Sequence, residues 1–344
     1  MSLKIVARDY EILKGYSTNV YLKNDKEYIP CEKVEFSAKG AISVDPNGFV
    51  VGLEKGKGKV IAKYNGEEVS KTINVVEEKK ILYIGHRGAR PLSEEEMCIP
   101  NTKSGFETGA KRNTYGIETD IRMSPDHVVY CHHDGTFTLT PMNFEEKELK
   151  KNKLEVDSDI NLVDFSVLKK LHIYWNNGSR HDVTKIALLV DYLRLCKKYK
   201  KKCVMEFKWT NGLNDNDVSF VDEIVDIVKK EEMYENMFFM TSMKKVLERI
   251  REKNKDAAMQ LLTGVKTTNQ ESVDWCLENQ ASLDAYYQSL TLNQIRTIHN
   301  AHLYVNAWTV NQRADADILI SMGVDMITSD LLQGEEKWIN LLNH

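Results

Sequence analysis

From Ile81 onward, short apolar runs alternate with longer amphipathic segments, and this alternation constrains the fold more than any other feature. The runs are 81–86, 116–121, 128–133, 203–208, 237–241, 258–262, 283–287, 303–308 and 325–329. Runs of this length, rich in β-branched and aromatic residues, read as buried strands. Between them lie helix-like segments such as Val183 to Tyr199, with Ile186, Leu189, Val190, Leu193 and Cys196 on one face, and Val218 to Lys230. Strands alternating with helices predict an α/β fold with a parallel sheet. Nine strands is one too many for a closed eight-stranded barrel. However, only Arg122 to His127 separates the second run from the third, and a parallel crossover needs about a dozen residues or more. Residues 116–133 therefore read as a hairpin turning at Ser124-Pro125-Asp126-His127, which returns His133 beside Glu118 and Asp120. The other eight strands predict a (β/α)8 TIM barrel over residues 81–340. Residues 135–182 are expected to form an irregular insertion, a lid or rim, because loops of that length in compact domains are usually functional.

The stretch 4–76 has a different texture. Asp45-Pro46-Asn47-Gly48 and Asn65-Gly66 are turn signals between alternating runs, which predicts a small all-β sandwich. The order Ser43-Val44-Asp45-Pro46-Asn47-Gly48-Phe49-Val50, then Gly56-Lys57-Gly58-Lys59-Val60-Ile61-Ala62, resembles bacterial group 2 immunoglobulin-like domains. That resemblance implies a module of surface or extracellular proteins, able to contact a cell surface or another protein. Nothing in it looks like a chemical site, so a chain starting near Glu77 is expected to keep whatever activity the remainder has. Glu77-Glu78-Lys79-Lys80 reads as the joint between the two parts.

Composition excludes several classes. The formal net charge is −4 and charged residues make up 28% of the 344, so no nucleic-acid partner is indicated. The densest basic run, Lys197-Lys198 with Lys200-Lys201-Lys202, reads as the solvated end of a helix. No run of 18 apolar residues marks a membrane span. None of the six Cys forms C-x-x-C, which argues against a thiolate zinc site. No leader is visible. With Met1-Ser2-Leu3 taken as the remnant of a removed one, the expected location is extracellular or at a bacterial cell surface, with the cytoplasm as the alternative.

Polar groups gather at strand ends. Glu118 and Asp120 are two apart on a strand and so point the same way. Such a pair on a strand is ordinarily solvent-facing, but here it sits between Ile117 and Ile121. Two such carboxylates repel unless a cation or a proton lies between them. Oxygen ligands without Cys suit Mg²⁺ or Ca²⁺. Glu206 and Lys208 share one face of a buried-type strand; they read as a structural ion pair or as a third ligand beside a phosphate-binding Lys. Arg87, at a Gly turn after His86, suits phosphate recognition. His132 and His133 point to opposite faces, so one of them stands outside any site.

In order, His86-Arg87-Gly88, Asn101-Thr102 with Phe106, Gly116-Ile117-Glu118-Thr119-Asp120, His133-Asp134, Glu206-Phe207-Lys208, Trp308-Thr309-Val310-Asn311 and Gly323 to Asp330 resemble the motifs of the glycerophosphodiester phosphodiesterase family, over about three quarters of the chain. The resemblance implies a (β/α)8 barrel with one divalent metal on Glu118, Asp120 and Glu206. It implies His86 and His133 as acid and base, Arg87 and Lys208 on the phosphate, and Trp308 lining the substrate site. The expected reaction is hydrolysis of a small glycerophosphodiester to glycerol phosphate and an alcohol. The family's P-E-N-T is Ile99-Pro100-Asn101-Thr102 here, lacking the Glu, and a Glu of Ser93-Glu94-Glu95-Glu96-Met97 is a candidate replacement. Two other readings are a phospholipase or sphingomyelinase D-like enzyme, with Ile173, Tyr174 and Trp175 hinting at a lipid landing surface, and a surface binding protein with a catalytically weak barrel.

Overall fold

Eight of the nine runs close into a barrel. The computed structural model describes residues 2–78, 80–93, 96, 98–139, 142–176 and 181–334. Residues 335–340 of the expected barrel domain lie outside that set, as do Glu94, Glu95 and Met97. The first nine strands belong to the front module: β1 (Lys4–Ala7), β2 (Glu11–Leu13), β3 (Ser17–Lys23), β4 (Tyr28–Ile29), β5 (Glu35–Gly40), β6 (Ile42–Val44), β7 (Phe49–Gly52), β8 (Gly56–Tyr64) and β9 (Glu67–Val76). They form two sheets, one of β1, β3, β4, β6 and β7 and the other of β2, β5, β8 and β9. Asn65 and Gly66 both take positive φ, 49° and 83°, as a two-residue hairpin between β8 and β9 requires. Ile5, Val20, Leu22, Val50, Val60 and Ile73 fill the space between the sheets, consistent with a sandwich.

The barrel follows: β10 (Leu82–Gly85), α1 (Lys103–Lys111), β11 (Gly116–Met123) and β12 (Val129–Cys131), then an insertion with α2 (Glu146–Lys151), α3 (Phe165–Leu168), β13 (His172–Asn176) and β14 (His181–Lys185). The alternation resumes with α4 (Leu189–Tyr199), β15 (Lys202–Phe207), α5 (Val221–Lys230), β16 (Met237–Thr241), α6 (Lys244–Lys253), β17 (Met259–Thr263), α7 (Gln270–Glu278), β18 (Ser282–Tyr286), α8 (Leu292–Asn300), β19 (Val305–Trp308), α9 (Arg313–Met322) and β20 (Met326–Ser329). β10, β11 and β15 to β20 are all parallel, and β10 closes the ring against both β20 and β11. β12 is the antiparallel excursion, with Ile121 opposite Cys131. Along β11, Ile117 and Ile121 face the helices and join Phe106 of α1 with Tyr192 and Leu193 of α4. Their alternates Glu118 and Asp120 therefore face the barrel interior. α5 buries Val221, Ile224, Val225 and Val228, a single stripe at helical spacing.

Two expectations need correction. The insertion is not irregular. It contains helices, a hairpin and its own core of Phe137, Phe144, Leu149, Ile160, Leu171, Ile173 and Trp175. The helix expected from Val183 starts only at Leu189, because Val183 and Thr184 pair with Tyr174 and Ile173 in that hairpin. The apolar period misled because Ile186 packs into the insertion core, so two different faces run together in sequence.

The module docks on the barrel pole formed by the N-terminal ends of the strands. The Arg8 guanidinium lies over the rings of Phe238 and Tyr304, 4.7 and 5.3 Å from their centroids. It donates to Asn19 Oδ1 and to the Ser17 carbonyl and pairs with Asp9 at 2.8 Å. Tyr115 Oη, just before β11, donates to Asp9 Oδ1 at 2.7 Å. Lys202 Nζ, at the start of β15, donates to the Arg8 carbonyl. Tyr21 and Tyr28 pack edge-on against Tyr234, before β16, at 5.1 and 5.3 Å. The module thus grips the ends of β11 and β15, the two strands that carry Glu118, Asp120 and Glu206.

Candidate active site

The opposite pole, at the C-terminal ends of the strands, gathers the polar residues. β10 ends at Gly85, and the chain turns through His86, Arg87 (φ 54°) and Gly88 (φ 88°). Any Cβ on Gly88 would lie 2.5 Å from the Gly105 backbone of α1, so only glycine allows this turn to sit against the helix. The turn points the Arg87 amide at Glu118 Oε2, 2.7 Å away, and the Gly88 amide at the Glu118 carbonyl.

Glu118, Asp120 and Glu206 converge. Asp120 and Glu206 are register partners on adjacent strands, and one oxygen from each of the three lies within 4.8 Å of the others. Lys208 Nζ is 2.7 Å from Glu206 Oε1 and 3.2 Å from Asp120 Oδ1. Arg87 Nε pairs with Asp120 Oδ2 at 3.3 Å. Burial pushes all three carboxyls up. For Asp120 the nearby Lys208, Arg87 and His133 outweigh it and hold the group well below the usual carboxylate range. For Glu118 burial and the two neighbouring carboxylates win, and it rises well above its ordinary value. Glu206 is pushed up to about 7, chiefly by burial, with Asp120 adding to the effect of burial against Lys208. Glu118 Oε1 is buried and has no hydrogen-bond partner. Three clustered carboxylates, one of them with an orphan oxygen, fit a hard divalent cation.

Two histidines flank the cluster, each backed by a carboxylate. His86 Nδ1 is 2.8 Å from Asp330 Oδ1, which leaves Nε2 facing the cluster, 4.0 Å from Glu118 Oε2. Asp330 is held in turn by Asn311 Nδ2 at 2.8 Å and by Arg90 at 3.0 Å. Burial pulls His86 below its ordinary value, and the Asp330 bond only partly offsets this. His133 Nδ1 is 2.8 Å from Asp134 Oδ1. A carboxylate partner at Nδ1 assigns the proton there and leaves Nε2 free for chemistry. His132 turns away; it is buried 5.4 Å from the Phe144 ring, and burial pulls it down to about 4. Trp308 ends β19 and meets Tyr286 edge-on at 5.8 Å, its buried indole N–H without a partner.

Sequence reasoning did not assign roles to Asp330, Asp134 or Asn101. Asn101 Nδ2 donates to Asp120 Oδ2 at 2.7 Å, while its Oδ1 accepts from Thr119 Oγ1 and the Asp120 amide. Asn101 thus fixes Asp120 from two sides. Glu96, one candidate for the missing Glu, instead pairs with Arg112 at 2.8 Å. Beside the His86–Asp330 pair opens a cavity of about 560 Å³ lined by Arg90, Leu92, Met142, Trp175, Asn311 and Asp330 among others.

Two carboxylate-backed imidazoles, two cations and a buried three-carboxylate cluster at the mouth of a (β/α)8 barrel define a site built for an anionic, proton-exchanging substrate such as a phosphate ester. Residues 86–333 match the glycerophosphoryl diester phosphodiesterase family, and the chain belongs to it. It is 22% identical over 262 residues to glycerophosphodiester phosphodiesterase domain-containing protein 4 of Macaca fascicularis, covering 72% of this chain and 39% of that protein. It is 25% identical to domain-containing protein 5 of Gallus gallus, covering 72% of this chain and 41% of that one. The chain therefore spans about two fifths of the length of these curated relatives. Solved structures share the fold. The glycerophosphodiester phosphodiesterase of Parabacteroides distasonis superposes with a TM-score of 0.57 at 20% identity, covering 74% of this chain and 94% of that one. The Oleispira antarctica phosphodiesterase, solved with the product sn-glycerol-3-phosphate, gives 0.58 at 18%, covering 73% and 93%.

Proposed function

We propose that this chain hydrolyses glycerophosphodiesters to glycerol phosphate and an alcohol. The observation that supports this most directly is the cluster of Glu118, Asp120 and Glu206 with its orphan oxygen, with His86 4.0 Å from Glu118 and His133 near enough to act on the Asp120 charge. These three carboxylates would hold one divalent cation, Mg²⁺ or Ca²⁺. When bound, that ion supplies positive charge against the phosphoryl oxygens. Arg87 and Lys208 add two fixed cations on the same side and orient the phosphate. His86 Nε2, held by Asp330 and facing the cluster, accepts the proton of the attacking oxygen, either the glycerol 2-hydroxyl or a water. As the new P–O bond forms, the bond to the leaving alcohol breaks, and His133, carrying a proton on each ring nitrogen with Nδ1–H on Asp134, gives its Nε2 proton to that alcohol. If the glycerol hydroxyl attacks, the product is a cyclic phosphate; water then opens it with the two histidines exchanging roles. Trp308 lines the substrate side of the mouth.

The family match and the glycerol phosphate bound in the Oleispira enzyme support this substrate class. The lipid-directed reading has less support in Ile173 and Trp175, which are buried, while Tyr174 is half-buried and Trp175 lines, with Leu92 and Met142, the cavity beside the His86–Asp330 pair. A cell-surface or extracellular setting stays part of the proposal on the immunoglobulin-like resemblance of residues 4–76; fractionation of the native host tests it.

The two histidines separate by leaving group. Nitrophenolate departs without a proton, whereas an alkoxide does not. His133→Ala is therefore expected to keep most activity on a nitrophenyl diester and lose roughly 10²-fold or more on glycerophosphocholine. His86→Ala is expected to lose both. The reverse pattern exchanges the roles, and equal losses in both variants would mean that the imidazoles bind phosphate rather than move protons.

A further inference from the structure

His133 lies on a half-exposed loop end, with 39% of its side chain open to solvent. A proton donor there works only if one rotamer is held, since misplacement at a reacting centre costs rate steeply. The residues that hold it come from the insertion. Asp134 Oδ1 takes the His133 Nδ1–H at 2.8 Å. Asp134 Oδ2 accepts from Thr138 Oγ1 at 2.7 Å and from Asn143 Nδ2 at 2.9 Å, and Asn143 Nδ2 also donates to Thr138 Oγ1. Asn143 is itself fixed and only 4% exposed. Its carbonyl accepts from the Tyr174 amide of β13 at 2.8 Å, and its Oδ1 from the Phe144 amide.

A second hold acts on the backbone. Arg122 Nη2 donates to the His133 carbonyl at 2.6 Å, while Nη1 donates to Asn161 Oδ1 at 2.8 Å and to the Trp209 carbonyl at 2.9 Å. Asn161 belongs to the insertion and is buried. A third lies next door, where His132 packs on Phe144 of the insertion core. Side chain, carbonyl and preceding residue of His133 are thus all referred to the insertion, which has a core of its own.

We infer that the insertion positions the proton donor: Asn143 and Thr138, acting through Asp134, are positioning residues that fix the His133 imidazole for protonating the leaving alcohol. The inference rests on the proposed role of His133. It assigns the insertion a function in turnover rather than in covering the site. The clamp's hydrogen bonds run to His133 and within the insertion, so the proposed phosphate holders Arg87 and Lys208 lie outside it.

The test is Asn143→Ala and, separately, the near-isosteric Thr138→Val, which keeps the packing if the first variant fails to fold. Each is assayed with glycerophosphocholine and with a nitrophenyl phosphodiester, alongside His133→Ala. We expect kcat on glycerophosphocholine to fall about 10- to 100-fold, the size of losses when a group orienting a site residue is removed. KM and the nitrophenyl rate should hold. Equal losses on both substrates in a folded variant would make the clamp a purely structural device and overturn the inference. If His133→Ala splits the two substrates and neither clamp variant does, the inference falls and the role of His133 stands. If His133→Ala itself fails to split them, the donor role falls and takes the inference with it.

Discussion

Glu206→Gln is expected to move activity and metal-free stability in opposite directions. Glutamine keeps the size and the acceptor for Lys208 but removes one of the three carboxylates. Metal affinity should drop by more than the roughly 10- to 100-fold typical of supporting residues, and kcat/KM by at least about 10²-fold. Without metal, the same change relieves repulsion on Glu118, whose carboxyl is raised by burial and then by Asp120 and Glu206. The metal-free melting temperature should therefore rise, and the sign can be followed with pH. Glu206 titrates near 7 when folded against 4.5 ordinarily. Between those values the folded chain holds a proton that the unfolded chain has lost, so metal-free stability falls as pH rises through this window. Calorimetry of both proteins at pH 5 and pH 8 should show a small difference at the lower pH and a larger one, favouring Gln, at the higher. A variant that binds Mg²⁺ and Ca²⁺ as the parent does, or full parental activity in excess chelator, would sink the metal assignment.

Removing residues 1–76 is expected to destabilise the barrel strongly, although the module supplies no catalytic group. Truncation uncovers Tyr234, Phe238 and Tyr304 and takes away Arg8, Asp9 and Tyr21, which cover them. Each buried aromatic contributes about 1.5–3 kcal/mol, against a total stability on the order of 5–15 kcal/mol. A fall in melting temperature on the order of 10 °C or more follows. The sequence alone suggested that a chain starting near Glu77 would keep its turnover. Given the docking contacts, we expect that turnover to persist only well below the new transition. A truncated chain that melts with the full one would show that the docking contributes nothing to stability. Arg8→Ala is the milder probe of the same contact.

The barrel was legible because its signals are local. Each strand is a compact apolar run, and the short gap from Arg122 to His127 allowed only a hairpin. Glu118 and Asp120 were legible for the same reason, since period-two spacing puts both on one face. What stayed hidden depends on residues far apart in sequence. His86 and Asp330 are 244 positions apart and meet only because β10 and β20 close the ring. The support of Asp134 by Asn143 depends on how the insertion folds, and its short strands and helices give no long periodic signal. The docking of the module was equally invisible, because Arg8 reads as an ordinary surface cation until the rings of Phe238 and Tyr304 are seen beneath it.

The module's position at the closed pole gives the molecule a fixed sense of direction. Whatever is joined on the module side, whether a tether, a partner protein or a solid support, meets the end of the barrel away from His86 and His133. The candidate site then faces outward into the medium, and the diesters proposed as substrates would arrive without passing between the protein and its holder. Molecules packed side by side on a surface by this end would all keep their mouths open to solution, so crowding them should raise the local rate in proportion to their number.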